Sequence, residues 1–290
     1  MKHTIENERI ILTIDDHGAE LTGLYDKNNS RELVWGADPK FWKRHAPILF
    51  PNVGKHNGLE YRTDGKAYHI GQHGFARDRD FQLISEDPSR IRHRLVSDSQ
   101  THESYPYDFA LDVTHEMLDS GIKVIWDVKN TGDETMYFTI GGHPAFNLPD
   151  YKQKEDFQVC IPDRAVLECK KLNLETGTAL ADITEIPLKD HILPLSDDLF
   201  AEDALVLDDG QVTEAVLQTA DGQDIIKIVT ENFPNYGIWS VKDAPFVCLE
   251  PWCGRCDDYS FNGELKDKKG INSVKPGEVF HKEYEIYLPK

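Results

Sequence analysis

Alternating apolar and polar positions dominate the chain wherever a pattern is legible. Across Gly121 to Asn130, Ile122, Val124, Trp126 and Val128 fall on one face while Lys123, Asp127 and Lys129 fall on the other. That period of two predicts a strand with one wet face. Just upstream, Phe109, Leu111 and Val113 alternate with Asp108, Asp112 and Thr114. The two runs meet at Leu118-Asp119-Ser120-Gly121 and predict an antiparallel hairpin.

Shorter runs predict strands near residues 10–14, 21–25, 136–140, 215–219, 225–229, 236–241, 246–249 and 280–288. Turn pairs such as Asp64-Gly65 and Asp221-Gly222 separate them. No segment sustains a 3.6-residue apolar period, although Ser196 and the acids after it predict one short helix. Many strands and few helices point to an all-β sandwich or barrel. No linker, low-complexity tract or fixed-period repeat divides the chain, so residues 1–290 are expected to form one domain.

Composition narrows the function class. With 32 basic and 51 acidic residues the net charge is −19, which repels nucleic acid and anionic lipid. Neither a signal sequence nor an apolar run of ~18 to 20 residues is present. A cytoplasmic protein with no nucleic-acid or membrane partner is expected. Five cysteines without an export signal predict reduced thiols, and Cys253-x-x-Cys256 lacks the second ligand pair of a structural zinc site. Without that pair no metal is expected, and the absence of glycine-rich phosphate loops leaves no nucleotide cofactor expected.

Three motifs place ionisable groups beside Gly or Pro at strand ends: Gln72 to Asp78 (QHGFARD), Gly141 to Pro149 (GGHPAFNLP) and Val247 to Gly254 (VCLEPWCG). Gly74 after His73 would let backbone approach a ligand, and Arg77 adds a fork of donors. His143, between Gly142 and Pro144, is expected on a constrained turn. Glu250 is expected at the end of an apolar strand that Pro251 breaks, partly desolvated beside Trp252. Desolvation raises a carboxylate toward neutrality, where histidine already titrates, so Glu250 and His143 form a candidate base and acid at pH 7. Trp42, Phe75, Phe146 and Trp252 are candidate surfaces for the apolar face of a pyranose.

At these motifs the sequence resembles the aldose 1-epimerase (galactose mutarotase-like) family, and most of all its bacterial LacX-like branch. The segments HGAELTGLYDKNNSRELVW, APILFPNVG, HGFARD, GGHPAFNLP and LEPWCG carry the likeness along nearly the whole chain. The resemblance implies a β-supersandwich of large twisted antiparallel sheets. It implies a mutarotase that opens and recloses the ring of an aldohexose: Glu250 takes the C1 hydroxyl proton, protonated His143 donates to the ring oxygen, and His73 holds that oxygen or a nearby hydroxyl.

Relatives also bind substrate hydroxyls through an early arginine and a mid-chain aspartate, which implies contacts for Arg44 and for Asp203, with Asp208 and Asp209 as competitors; Arg77, Asn147 and Trp252 are further candidate substrate contacts. PNVGKHNG replaces the motif that follows the early arginine of galactose-specific relatives, which leaves the sugar open. Lys55, Arg44 and Arg77 raise a hexose 6-phosphate as the alternative substrate. The resemblance implies no cofactor, a small-molecule sugar as partner, and a monomer or homodimer. Rival readings are a non-catalytic sugar-binding protein of the same fold, a glycosidase and a metal-dependent cupin. The second normally needs two carboxylates around the bond, and the third a histidine pair close together on one strand.

Overall fold

The computed structural model describes residues 1–151, 153–162 and 164–289. The predicted hairpin forms with Phe109 opposite Asn130 and Leu118 opposite Gly121. Its apolar face is dry: Ile122, Val124, Trp126 and Val128 are all buried, each worth ~1.5–3 kcal/mol relative to exposure. The expected wet face is only partly wet. Asp112 is buried because Arg92 and Arg94, on the neighbouring strand Arg90–Val96, both pair with it.

This hairpin belongs to a nine-stranded antiparallel sheet that runs from Ile192–Pro194 at one edge to Gln82–Asp87 at the other. Val279–Tyr287 flanks Gly121–Asn130 on its other side and ties the C-terminal strand into the centre. A second large sheet contains, in order, Thr178–Pro187, Val166–Asn173, Leu205–Leu207, Asn235–Trp239, Phe246–Cys253, Ile140–Gly142 and Ile48–Leu49, with Ala145–Asn147 also paired to Phe246–Cys253. The N-terminal strands Lys2–Glu6, Ile10–Asp15, Glu20–Asp26 and Arg31–Glu32 make a smaller sheet. Between the layers one apolar cluster extends from Ile5 to Leu288. This is the all-β supersandwich expected from the sequence.

One local expectation changes. The helix foreseen after Ser196 is a single 3-10 turn, Asp198–Phe200, entered through a Leu199 N–H to Ser196 Oγ bond of 3.1 Å. The α-helix lies instead at Ser99–Ser104, where Asp98 and Thr101 cap each other's backbone in a box. Among the described residues no helix is long and apolar enough to cross a membrane. All five cysteines are free thiols.

Candidate active site

The strand Phe246–Cys253 divides its side chains by parity. Val247, Leu249 and Cys253 enter the main core. Phe246, Cys248, Glu250 and Trp252 face the opposite side, where the first two join Trp35, Trp42 and Trp239. Glu250 does not end the strand, and Pro251 does not break it. Leu249 N–H donates to Pro144 O, so position 251, two residues on, faces the same interruption around His143 and Pro144 and needs no donor there. The strand therefore carries Glu250 into the protein, 1% exposed.

Trp252 floors the pocket. Its indole lies across the two neighbouring strands, and a Cβ added at Gly141 or Gly237 would sit 2.5 or 2.4 Å from it. Glycine at both positions is what allows a flat ring to rest on the sheet.

His143 occupies the gap between Ile140–Gly142 and Ala145–Asn147, as the flanking Gly and Pro predict. Its Nε2 is 3.2 Å from Glu250 Oε2. Trp42 stacks on the imidazole at 4.8 Å between ring centroids, and Trp239 and His73 meet it edge-on at 5.6 and 5.7 Å.

His73 is held by Gly54, whose carbonyl accepts the His73 N–H at 2.9 Å and whose N–H donates to Nδ1 at 3.1 Å. An accepting Nδ1 leaves the proton of a neutral ring on Nε2, the nitrogen that meets the Gln72 side-chain amide at 3.2 Å. Gly74 serves this turn and not a ligand. It has φ +68, and an added Cβ would fall 2.2 Å from Phe50 O, the carbonyl that receives both Phe75 and Ala76 N–H. Gly74→Ala is therefore expected to lower stability by at least ~1–2 kcal/mol from backbone conformation alone. Thermal unfolding checks this, and an unchanged Tm would contradict it.

Burial dominates the electrostatics. It pushes the Glu250 carboxyl well above the ordinary range, reinforced by Asp203 and opposed by the Trp252 indole. Burial likewise pulls His143 down to about 3, with Arg77 and Arg44 adding to the effect. His73, enclosed in the pocket beside His143, Arg77, Arg44 and Lys55, is also driven well below its usual value. Burial thus disfavours the expected imidazolium–carboxylate pair and favours the uncharged forms, a neutral imidazole beside a protonated carboxyl.

These groups line a cavity of about 440 Å³, within the ~300–1,000 Å³ typical of small-molecule sites. Arg44, Lys55, Arg77, Asp203 and Trp252 join His73, His143 and Glu250 on its wall. Both Glu250 oxygens and the Trp252 indole nitrogen are buried without a hydrogen-bond partner among the described residues.

Asn147 does not belong to this set, because its side-chain amide is spent on the carbonyls of Glu32 and Val34. Phe146 is wholly in the core, and Phe75 packs on Tyr105 and Phe109. Asp208 is buried against Arg255 and Asn235, which leaves Asp203 as the aspartate at the pocket. Trp239 and Lys43 line the site without having been singled out. Trp239 sits in a strand whose alternation looks ordinary, and Lys43 is an exposed lysine among many.

Comparison with known proteins agrees with this architecture. The sequence profile of the family described as aldose 1-epimerase matches residues 1–287. The chain is 30% identical to the chromosomal protein LacX of Lactococcus lactis subsp. lactis over 98% of both chains. Among solved structures, a galactose mutarotase related enzyme from Lactobacillus acidophilus superposes with a TM-score of 0.94 at 35% identity, covering 100% of this chain and 98% of that one. A galactose mutarotase-like protein from Lactobacillus casei gives 0.92 at 30% identity over 99% and 100%. On its fold and its sequence alike, the chain belongs to the aldose 1-epimerase family.

Proposed function

We propose that this chain is a mutarotase, an isomerase that interconverts the α and β anomers of an aldohexose at the Glu250–His143 pair. The observation that carries the reading is a buried carboxyl on the cavity wall with one oxygen 3.2 Å from an imidazole nitrogen and neither oxygen in a formed hydrogen bond among the described residues. Such a pair exchanges protons with substrate without a metal or nucleotide.

A sugar seated with its C1 hydroxyl at Glu250 and its ring oxygen at His143 draws the shared proton across to His143. Glu250 then takes the C1–OH proton, His143 delivers its own to the ring oxygen, the C1–O bond breaks and an aldehyde forms. Rotation about C1–C2 presents the other carbonyl face, and the same two transfers in reverse close the ring. The neutral His73, donating from Nε2, holds the ring oxygen or a neighbouring hydroxyl. Arg44, Arg77 and Asp203 bind hydroxyls, and Trp252 lies under the pyranose. The reading treats residues 1–290 as one catalytic unit, cytoplasmic, and monomeric or dimeric.

The test is polarimetry of freshly dissolved α-glucose and α-galactose, where added protein should speed the change in rotation. An untouched rate with every aldose and aldose phosphate would leave a non-catalytic sugar-binding protein instead. The proton count also predicts the pH profile. Because kcat/KM reports the free enzyme, its acid limb should follow His143, near 3. Its alkaline limb should follow loss of the proton from Glu250. Activity should stay flat through pH 6.5, and an acid limb near that value would exclude a neutral His143 in the resting site.

Four cations favour the hexose 6-phosphate alternative. Lys43, Arg44, Lys55 and Arg77 line the cavity against only Asp203 and Glu250, in a chain of net charge −19. Arg44 and Arg77 share Asp78, at 2.8 and 3.7 Å. Crowding by burial and Arg44 pulls Arg77 down to about 10. If the substrate is phosphorylated, Lys55→Ala should raise its KM by ~10-fold or more and leave the parent hexose unaffected. Its KM should also climb with ionic strength. Equal KM values for both sugars in both proteins would remove the phosphate reading.

A further inference from the structure

A second cluster of ligating side chains lies outside the cavity, where the small N-terminal sheet meets the edge of the nine-stranded sheet. His3 comes from Lys2–Glu6, Asp16 follows Ile10–Asp15, and His93 comes from Arg90–Val96. The Nε2 atoms of His3 and His93 both approach Asp16 Oδ1, at 2.8 and 3.1 Å. The three ligand atoms all lie within 4.8 Å of one another.

We propose that His3, Asp16 and His93 bind a borderline divalent transition-metal ion, of the zinc, cobalt or nickel class, that fastens the N-terminal sheet to the large sheet.

The first argument is a proton count. His3 Nδ1 is 2.8 Å from Glu86 Oε2, so the ring sits between two carboxylates. A neutral imidazole has one N–H, and donating it to Glu86 turns the Nε2 lone pair toward Asp16. That contact is repulsive unless the ring takes a second proton or a cation lies between. A carboxylate that receives the far N–H of a metal-bound histidine is the usual outer support of such sites.

The second argument is burial. His93 is fully buried, its Nε2 faces Asp16 Oδ1, and its Nδ1 meets no hydrogen-bond partner among the described residues. Asp16 remains a quarter exposed, which gives an ion a way in and water a place to complete the coordination.

The third is dimension. Bonds of ~2.0–2.2 Å in a tetrahedron separate ligand atoms by roughly 3.3–3.5 Å, so an ion would need Asp16 Oδ1 to move back from the His3 and His93 Nε2 atoms, now at 2.8 and 3.1 Å, while all three atoms already lie within 4.8 Å of one another. Two imidazoles and one carboxylate select this class of ion over magnesium or calcium, which take oxygen ligands.

Untagged, chelator-treated full-length protein titrated with Co(II) should take up one equivalent with visible d–d absorption, and Zn(II) should displace it. Tm should rise with Zn(II) and not with Mg(II). His3→Gln, on an edge strand, should abolish uptake and the Tm gain while leaving mutarotation unchanged, since none of the three residues lines the cavity. Asp16→Asn should do the same if it folds. The competing description is a metal-free network in which His3 is doubly protonated. Absence of one-equivalent Co(II) binding in the parent protein, or binding undiminished in His3→Gln, would establish that network and overturn the metal site.

Discussion

Glu250→Gln is expected to lower kcat by ~10²- to 10⁴-fold while the protein folds as before. The amide keeps the volume of the carboxyl group but cannot accept or release the proton that must travel between C1–OH and the ring oxygen. A single general acid/base group is typically worth that factor. Stability should hold or improve, because Glu250 is buried and its environment already favours the uncharged form, so a neutral isostere removes an ionisable group from a site that resists charge. His143→Ala should lose a comparable factor. The double variant should fall little below either single one, since the two residues act on one shared proton and their losses do not add. Polarimetric kcat with Tm measured beside it decides the matter; a Glu250→Gln enzyme within ~10-fold of the parent would remove Glu250 from the reaction.

Much of this architecture is legible in period-two patterning. The hairpin Phe109–Asn130 can be read directly because one face alternates strictly and two residues close the turn. Glu250 and His143 are legible as a pair only in part. Flanking Gly and Pro mark His143 correctly, whereas Pro251 reads as a strand end when it is a strand interior.

The reason is tertiary: a missing N–H costs nothing opposite a gap in the neighbouring strand, and only the fold reveals the gap. Depth is also hidden. Glu250 looks partly desolvated from its apolar neighbours, yet the strand Asn235–Trp239, the stretch around His143 and the Trp252 indole enclose it fully. Burial of this depth favours the uncharged forms of both groups. Asn147 fails for a different reason, since its motif position says nothing of the two carbonyls that occupy its amide.

Asp203 and Asp208 illustrate the same limit five residues apart, and they predict opposite failures. Asp208 accepts from Arg255 Nε at 2.8 Å and from Asn235 Nδ2 at 2.8 Å. Burial alone would raise its carboxyl, but the Arg255 hydrogen bond and charge outweigh this and hold it below the usual range. Arg255 is itself 2% exposed, and its remaining nitrogens bond Cys256 O and Asp258. Asp208→Ala leaves a guanidinium buried without its principal counter-charge, a loss of ~3–5 kcal/mol. The damage should reach the cavity too, because the Asp257 N–H that follows this arginine donates to Lys55 O. Asp203 is exposed at the cavity rim with φ +76, and its own side chain accepts from Ala204 N–H at 2.8 Å. Asp203→Asn, which keeps that acceptor and tolerates the left-handed backbone, should leave Tm unchanged and raise KM. Chemical denaturation read beside KM separates the two residues. A stable Asp208→Ala protein with raised KM, or an unfolded Asp203→Asn, would exchange their roles.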